Sequence, residues 1–191
     1  MNALVQALKT SQQHRFTLDD VLRMQKAGIL DESARVELIE GVLVEMASEG
    51  ASHVRLKTRI AYALMAKGVG SHIVVTDSTL RLSPVNAPSP DLHIYEASLP
   101  LTDVSGQNVG LVIEVAYSTI GSDLTFKADL YAQHGVREYW VVDVNTDTVI
   151  THRTLAGGTY RDVAHHSARD TVTAQHLPGI TLCLAELPTI R

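Results

Sequence analysis

Residues 110–143 read GLVIEVAYSTIGSDLTFKADLYAQHGVREYWVVD, and the reading of this stretch decides the fold. Leu111 to Val115 is an apolar run broken by one carboxylate, Glu114. A loop and a helical pattern follow, and then a second apolar run, Glu138 to Asp143. Strand, crossover helix and strand in that order predict a βαβ-like unit. At about 100° per residue, Ile120, Leu124, Phe126, Ala128, Leu130 and Tyr131 share a broad apolar arc, while Thr125, Asp129 and Gln133 form the solvated face. Lys127 falls near the middle of the apolar arc, beside Asp123 and His134. Lysine is almost never buried without a partner. Lys127 therefore either meets an acid at the sheet or snorkels past the helix edge to water.

On the N-terminal side, Phe16 to Lys26 carries a helix start, with Thr17 as N-cap and Asp20 three residues on. Gly28 ends it. Glu40-Gly41 separates two β-rich arms, which predicts a hairpin. Ala51 to Lys67 is helical, with His53, Leu56, Ile60 and Leu64 along one stripe. His72 to Asp77 and Thr79 to Ser83 read as short strands, and Pro84, Pro88 and Pro90 make the next connection irregular. Asp91 to Tyr95 is a strand whose alternation places Asp91, His93 and Tyr95 on one face. On the C-terminal side, Gly157-Gly158 joins two strands, Thr148 to Thr154 and Thr159 to Ala164. Thr171 to Ala174 adds an edge strand, and the apolar tail ends on a short strand or helical turn.

Composition narrows the class. The chain has 191 residues, 45% of them hydrophobic and 19% charged, as expected for a globular protein with a sizeable core. We expect a tail over residues 1–14, either poorly ordered or a helix that contacts a partner, and a single domain over 15–191. A net charge of −5 argues against a broad basic footprint for nucleic acid but leaves room for a local cleft. The lone cysteine, Cys183, allows no internal disulfide, fits a cytoplasmic setting and reads as a small core residue. No apolar run is long enough to span a membrane, and residues 1–15 lack a signal-type apolar core. No nucleophile-elbow, paired-cysteine, phosphate-loop or dinucleotide fingerprint is present, so no organic cofactor is expected.

Four residues could carry chemistry if their strands are neighbours. Asp91 follows Pro90 at a strand start, Glu114 lies inside the next strand, Lys127 projects from the crossover helix, and Glu37 sits in the early hairpin. Carboxylates meeting at a sheet repel unless something positive sits among them. A hard divalent cation with oxygen ligands, Mg²⁺ or Mn²⁺, meets that need. A lysine beside it can orient or help deprotonate water, as phosphodiester hydrolysis requires. Asp123, four residues before Lys127, either holds that lysine or forms a plain i,i+4 pair. His53 is either a hydrogen-bonded core residue or part of the site. Trp140 and Tyr139 read as sheet core, and His152, His165 and His166 as surface residues.

The pattern resembles a family. Ser89-Pro90-Asp91, Ile113-Glu114-Val115 with Ser118-Thr119, Asp123 and Lys127, Tyr131, and the run from Gly135-Val136 through Glu138-Tyr139-Trp140-Val141-Val142-Asp143 look like the Uma2 family. That family is restriction-endonuclease-like and sits in the PD-(D/E)XK nuclease superfamily. Arg15-Phe16-Thr17, Glu37-Leu38-Ile39-Glu40-Gly41, His53 and Leu177-Pro178-Gly179-Ile180 agree, so the resemblance spans about residues 15–188. It implies an α/β fold with a mixed β-sheet flanked by helices and an added hairpin region. It also implies a Mg²⁺-dependent endonuclease acting on DNA. Asp91, Glu114, the Val115 carbonyl and Glu37 would be its metal ligands. The superfamily lysine stands two residues after the second acid, where this chain has Ala116, and Lys127 would replace it from the helix. A homodimer is expected, since cutting two strands needs two sites. The competing expectation is a nuclease-fold module that binds nucleic acid or a protein partner without cutting it.

Overall fold

The computed structural model describes residues 14–31, 33–46, 48–66, 70–177 and 179–189. The expected tail or helix over residues 1–13 lies outside them. The chain divides into two compact units: the chain before Ala47 with Ser83–Pro88, and Ala47–Leu82 with Ser89–Arg191.

In the first unit, α1 (Leu18–Lys26) begins with a complete capping box between Thr17 and Asp20. Strands β1 (Val36–Ile39) and β2 (Val42–Glu45) form the expected hairpin. Its turn needs two left-handed residues, which Glu40 at φ 49° and Gly41 at φ 78° provide. Val21, Leu38 and Ala87 form a small core under Phe16 and Leu43.

The second unit is built on one sheet. Helix α2 (Ala51–Ala66) leads to β3 (His72–Thr76), β4 (Leu92–Glu96) and β5 (Val109–Ala116). The crossover α3 spans residues 120–133, and β6 (Tyr139–Asp143), β7 (Thr148–Ala156) and β8 (Thr159–His166) follow. Spatial order is β3-β4-β5-β6-β7-β8. Among the described strands of this sheet only β5 and β6 run parallel, so the βαβ unit is where it needs a crossover. α2 lies on one face, where Leu56, Ile60 and Leu64 meet Leu92, Ile94, Leu111, Ile113 and Trp140. α3 covers the other, where Ala128 and Tyr131 meet Val112, Ala116, Tyr139 and Val141. Tyr139, Trp140 and Cys183 are buried, as their sequence context implies.

Three sequence expectations need correction. Residues 79–83 are not a strand. Asp77, at φ 50°, turns the chain out of the sheet, and only isolated bridges form, Arg81 with Ser105 and Ser83 with Asn86. The strand over Thr171 to Ala174 does not join the main sheet: β9 (Val172–Thr173) pairs with β10 (Thr181–Leu182) in its own ladder, before a 3₁₀ turn at Leu184–Glu186. His152 is buried, not on the surface, because β7 is an interior strand and its ring packs between Tyr139 and Tyr160.

One buried ion pair ties β6, β7 and the chain before β10 together. Glu138 is 0% exposed and accepts from Arg153 Nε (2.8 Å), Trp140 Nε1 (2.9 Å) and the Gln175 amide (2.7 Å). Removing one partner of such a pair leaves a desolvated charge, which costs about 3–5 kcal/mol. Arg153→Ala should therefore lower unfolding free energy by about 3 kcal/mol in urea titration. A loss under about 1 kcal/mol would mean the pair is better solvated than its burial implies.

Candidate active site

Glu114 points from β5 toward α3 and is 4% exposed. Its Oε1 accepts from Lys127 Nζ at 2.9 Å and from the Tyr131 hydroxyl at 2.9 Å. Lys127 thus turns to the sheet and not to solvent. The helix that carries it is irregular. α3 is not a continuous α-helix: Ile120–Ser122 and Ala128–Gln133 are α-helical, but Asp123–Lys127 is a π-turn. A π-turn carries one extra residue and shifts the helical phase of the residues after it, and it is common at functional sites. The apolar arc drawn for a uniform helix is therefore wrong at Phe126, which is 45% exposed. Asp123 is buried at the start of this turn. Its Oδ2 accepts from Thr119 Oγ1 (2.6 Å), and its Oδ1 stands 4.0 Å from Lys127 Nζ.

Asp91 lies one residue before β4, one step beyond the paired Leu92 and Ile113. Its own amide faces Glu114 Oε2 at 3.4 Å, so the two acids occupy adjacent strand ends. Asp91 Oδ2 accepts the Val115 N–H at 2.7 Å and meets His53 Nε2 at 3.0 Å. Glu37 belongs to the first unit, buried on β1 opposite Val44.

Sequence reasoning missed part of this cluster. Lys57, one turn after His53 on α2, bonds Glu49 Oε2 at 2.7 Å and Asp77 Oδ1 at 2.6 Å, and stands 3.5 Å from Asp91 Oδ1. The rule that singled out Lys127, a lysine on an apolar stripe, applies equally to Lys57. Asp77 gave no such signal, because a left-handed turn and not a strand register aims it. Glu49 Oε2 also lies 3.5 Å from His53 Nδ1.

Both ring nitrogens of His53 therefore face carboxylates. The hydrogen bond to Asp91 raises its pKa above the ordinary 6.5, against burial, with the Asp91 and Glu49 charges adding to the rise. Burial pushes Asp91 upward, but the His53 hydrogen bond and charge, the Val115 amide and Lys57 outweigh it and hold the carboxyl below its usual 3.8. Lys57 likewise loses to burial but gains more from Asp77, Glu49 and Asp91, and its pKa is raised. On the Glu114 side of the sheet, His93 is fully buried, and its ring nitrogens have no hydrogen-bond partner among the described residues. Burial takes its pKa down to about 4, so it is neutral.

Two donor sets could hold a metal. Glu49, His53 and Asp91 offer one ligand atom each, all within 4.8 Å of one another. The other set is Asp91 with Glu114. It consists of hard oxygens, and it leaves Asp91 Oδ1 with a single long contact among the described residues. In the first set both His53 nitrogens already face carboxylates, at 3.0 Å to Asp91 and 3.5 Å to Glu49.

A mixed sheet flanked by helices, with acids where β4 begins and β5 ends, has the restriction-endonuclease-like architecture. A crystal structure described as a "putative nuclease belonging to DUF820" from Anabaena variabilis superposes with a TM-score of 0.66. It has 14% identity and covers 90% of this chain and 96% of that one. No curated protein matches. The family model described as "Putative restriction endonuclease" matches residues 18–185, and the chain belongs to that family, Uma2. Among the described residues no helix is long and apolar enough to cross a membrane.

The His53–Asp91 pair sets a pH window. His53, with a raised pKa, contributes stability that is full below 6.5 and is lost as pH rises through its folded value. Asp91, with a lowered one, contributes stability above 3.8 that is lost as pH falls through its folded value. The His53 imidazole should titrate above pH 6.5 by NMR. In Asp91→Asn it should titrate below 6.5, since burial then prevails; an unmoved titration would break the assignment.

Proposed function

We propose that this chain is a metal-dependent endodeoxyribonuclease of PD-(D/E)XK type, hydrolysing DNA phosphodiesters with Mg²⁺, or Mn²⁺ in its place. The observation that carries the reading is the 2.9 Å contact of Lys127 Nζ with Glu114 Oε1, beside an Asp91 whose amide meets the same carboxylate. Asp91, Glu114 and the Val115 carbonyl would hold the cation. A divalent cation there supplies polarisation of the phosphate and a more acidic water.

The chain's own residues prepare that chemistry. Tyr131 and Lys127 fix Glu114 through one oxygen, and the Val115 amide and His53 fix Asp91 through one oxygen. Each acid is thus oriented before any ligand arrives, which lowers the reorganisation needed during reaction. Lys127 is the group that positions the attacking water and moves a proton at Nζ. It does from α3 what a lysine at the Ala116 position would do from the strand. The reading includes a homodimer, supported by the open edges of β3 and β8, and a cytoplasmic setting, supported by the lone cysteine.

A second reading has its own support. Lys57 and Lys127 already neutralise Asp91 and Glu114, so the same residues would suit a module that binds nucleic acid or a protein without cutting. Plasmid and oligonucleotide cleavage with Mg²⁺ or Mn²⁺ separates the two. The parent should cut, and Asp91→Ala and Lys127→Ala should each slow cleavage by at least about 100-fold. Equal rates in all three chains would reveal a contaminant. A parent that shifts DNA in a gel but cuts with neither metal would favour the binding module.

A further inference from the structure

The two oxygens of Asp91 are used unequally. Oδ2 takes both short contacts, from the Val115 amide at 2.7 Å and His53 Nε2 at 3.0 Å. Oδ1 faces the Lys57 ammonium at 3.5 Å. That ammonium is anchored elsewhere, at 2.7 Å to Glu49 and 2.6 Å to Asp77. Its side chain is only 8% exposed, so it has little access to bulk water as an alternative. Asp77 is held in register with the site, because its amide donates to the Asp91 carbonyl at 3.2 Å. Lys57 therefore leans on Asp91 from a cradle that does not need Asp91.

We propose that Lys57 is a resident cation that competes with the divalent metal for Oδ1 of Asp91, and that Glu49 and Asp77 retain it when the metal binds. The proposal rests on the metal reading of the same site. Oδ1 is the oxygen left over once Oδ2 has been fixed, so a metal on Asp91 meets Lys57 first. Two cations cannot crowd one carboxylate oxygen without repulsion, and at low exposure that repulsion is weakly screened. Lys57 is in this account a positioning residue that sets how tightly the site holds metal. A lysine acting only as a brace between α2 and the turn at Asp77 would have a different signature: its removal would loosen the site and weaken metal binding.

Metal affinity decides between them without reference to cleavage. Free Mn²⁺ is titrated by electron paramagnetic resonance with the whole chain as parent, Lys57→Met, Asp77→Asn and Asp91→Asn, the last as the blank. Lys57→Met should bind Mn²⁺ about tenfold tighter, because one facing positive charge is gone. Asp77→Asn should bind it several-fold weaker, because Lys57 loses an anchor and closes on Asp91. A folded Lys57→Met chain with equal or weaker affinity overturns the proposal. If Lys57→Met does not fold, Lys57→Gln, which keeps a polar group between Glu49 and Asp77, decides: tighter binding supports competition, and equal or weaker binding overturns it. Parent and Lys57→Met both failing to bind Mn²⁺ overturn this proposal together with the metal reading. Opposite shifts in a chain that cleaves no DNA uphold competition and remove hydrolysis. Cleavage with unshifted affinities does the reverse.

Discussion

A carboxylate inside a sheet must find a proton donor or a cation, and the ion pair of Glu114 with Lys127 is how this chain meets that demand. Both side chains are largely buried, at 5% and 16% exposure. An unpaired charge there would cost several kcal/mol, which is a large part of a domain's net stability. The pair in turn dictates where α3 lies, because the helix must cross β5 and β6 with Lys127 and Tyr131 facing down. The parallel β5–β6 ladder, the burial of Tyr139 under Tyr131, and the approach of Asp91 to Glu114 depend on that crossing.

The second charged group is organised by a different logic. Around Asp91 the partners come from three places: the backbone of β5, one turn of α2, and a left-handed residue after β3. No single element carries the cluster, so it depends on the tertiary fold. The acids do not wait for a metal to be neutralised. His53, Lys57 and Lys127 already stand among them, and the site can be assembled as the chain folds.

Much of the fold was legible because it follows from short-range rules. The capping box at Thr17 and Asp20, the left-handed pair Glu40-Gly41, and the βαβ reading of residues 110–143 are each local chemistry. Asp91, Glu114 and Lys127 were legible because each is a charge in the wrong company. The failures depended on context beyond the local pattern. Leu80 and Leu82 alternate like a strand, yet Asp77 steers them out of the sheet. His152 reads as polar hairpin, yet its strand is interior and its ring packs between Tyr139 and Tyr160. Lys57 was overlooked on α2 although its position obeys the argument used for Lys127, and Asp77 carried no periodic signal at all.

The π-turn over Asp123–Lys127 sets a tolerance that side-chain identities do not reveal. A π-turn is an α-helix with one residue too many. Removing one exposed residue of the turn, such as Thr125, would restore the regular helical ladder and leave the two flanks oriented as they are, so Lys127 and Tyr131 would keep their reach to Glu114. A second deletion would have no widened turn to absorb it and would rotate one flank against the other by about 100°. The 13-residue interval between Glu114 and Lys127 thus holds one spare residue and no more.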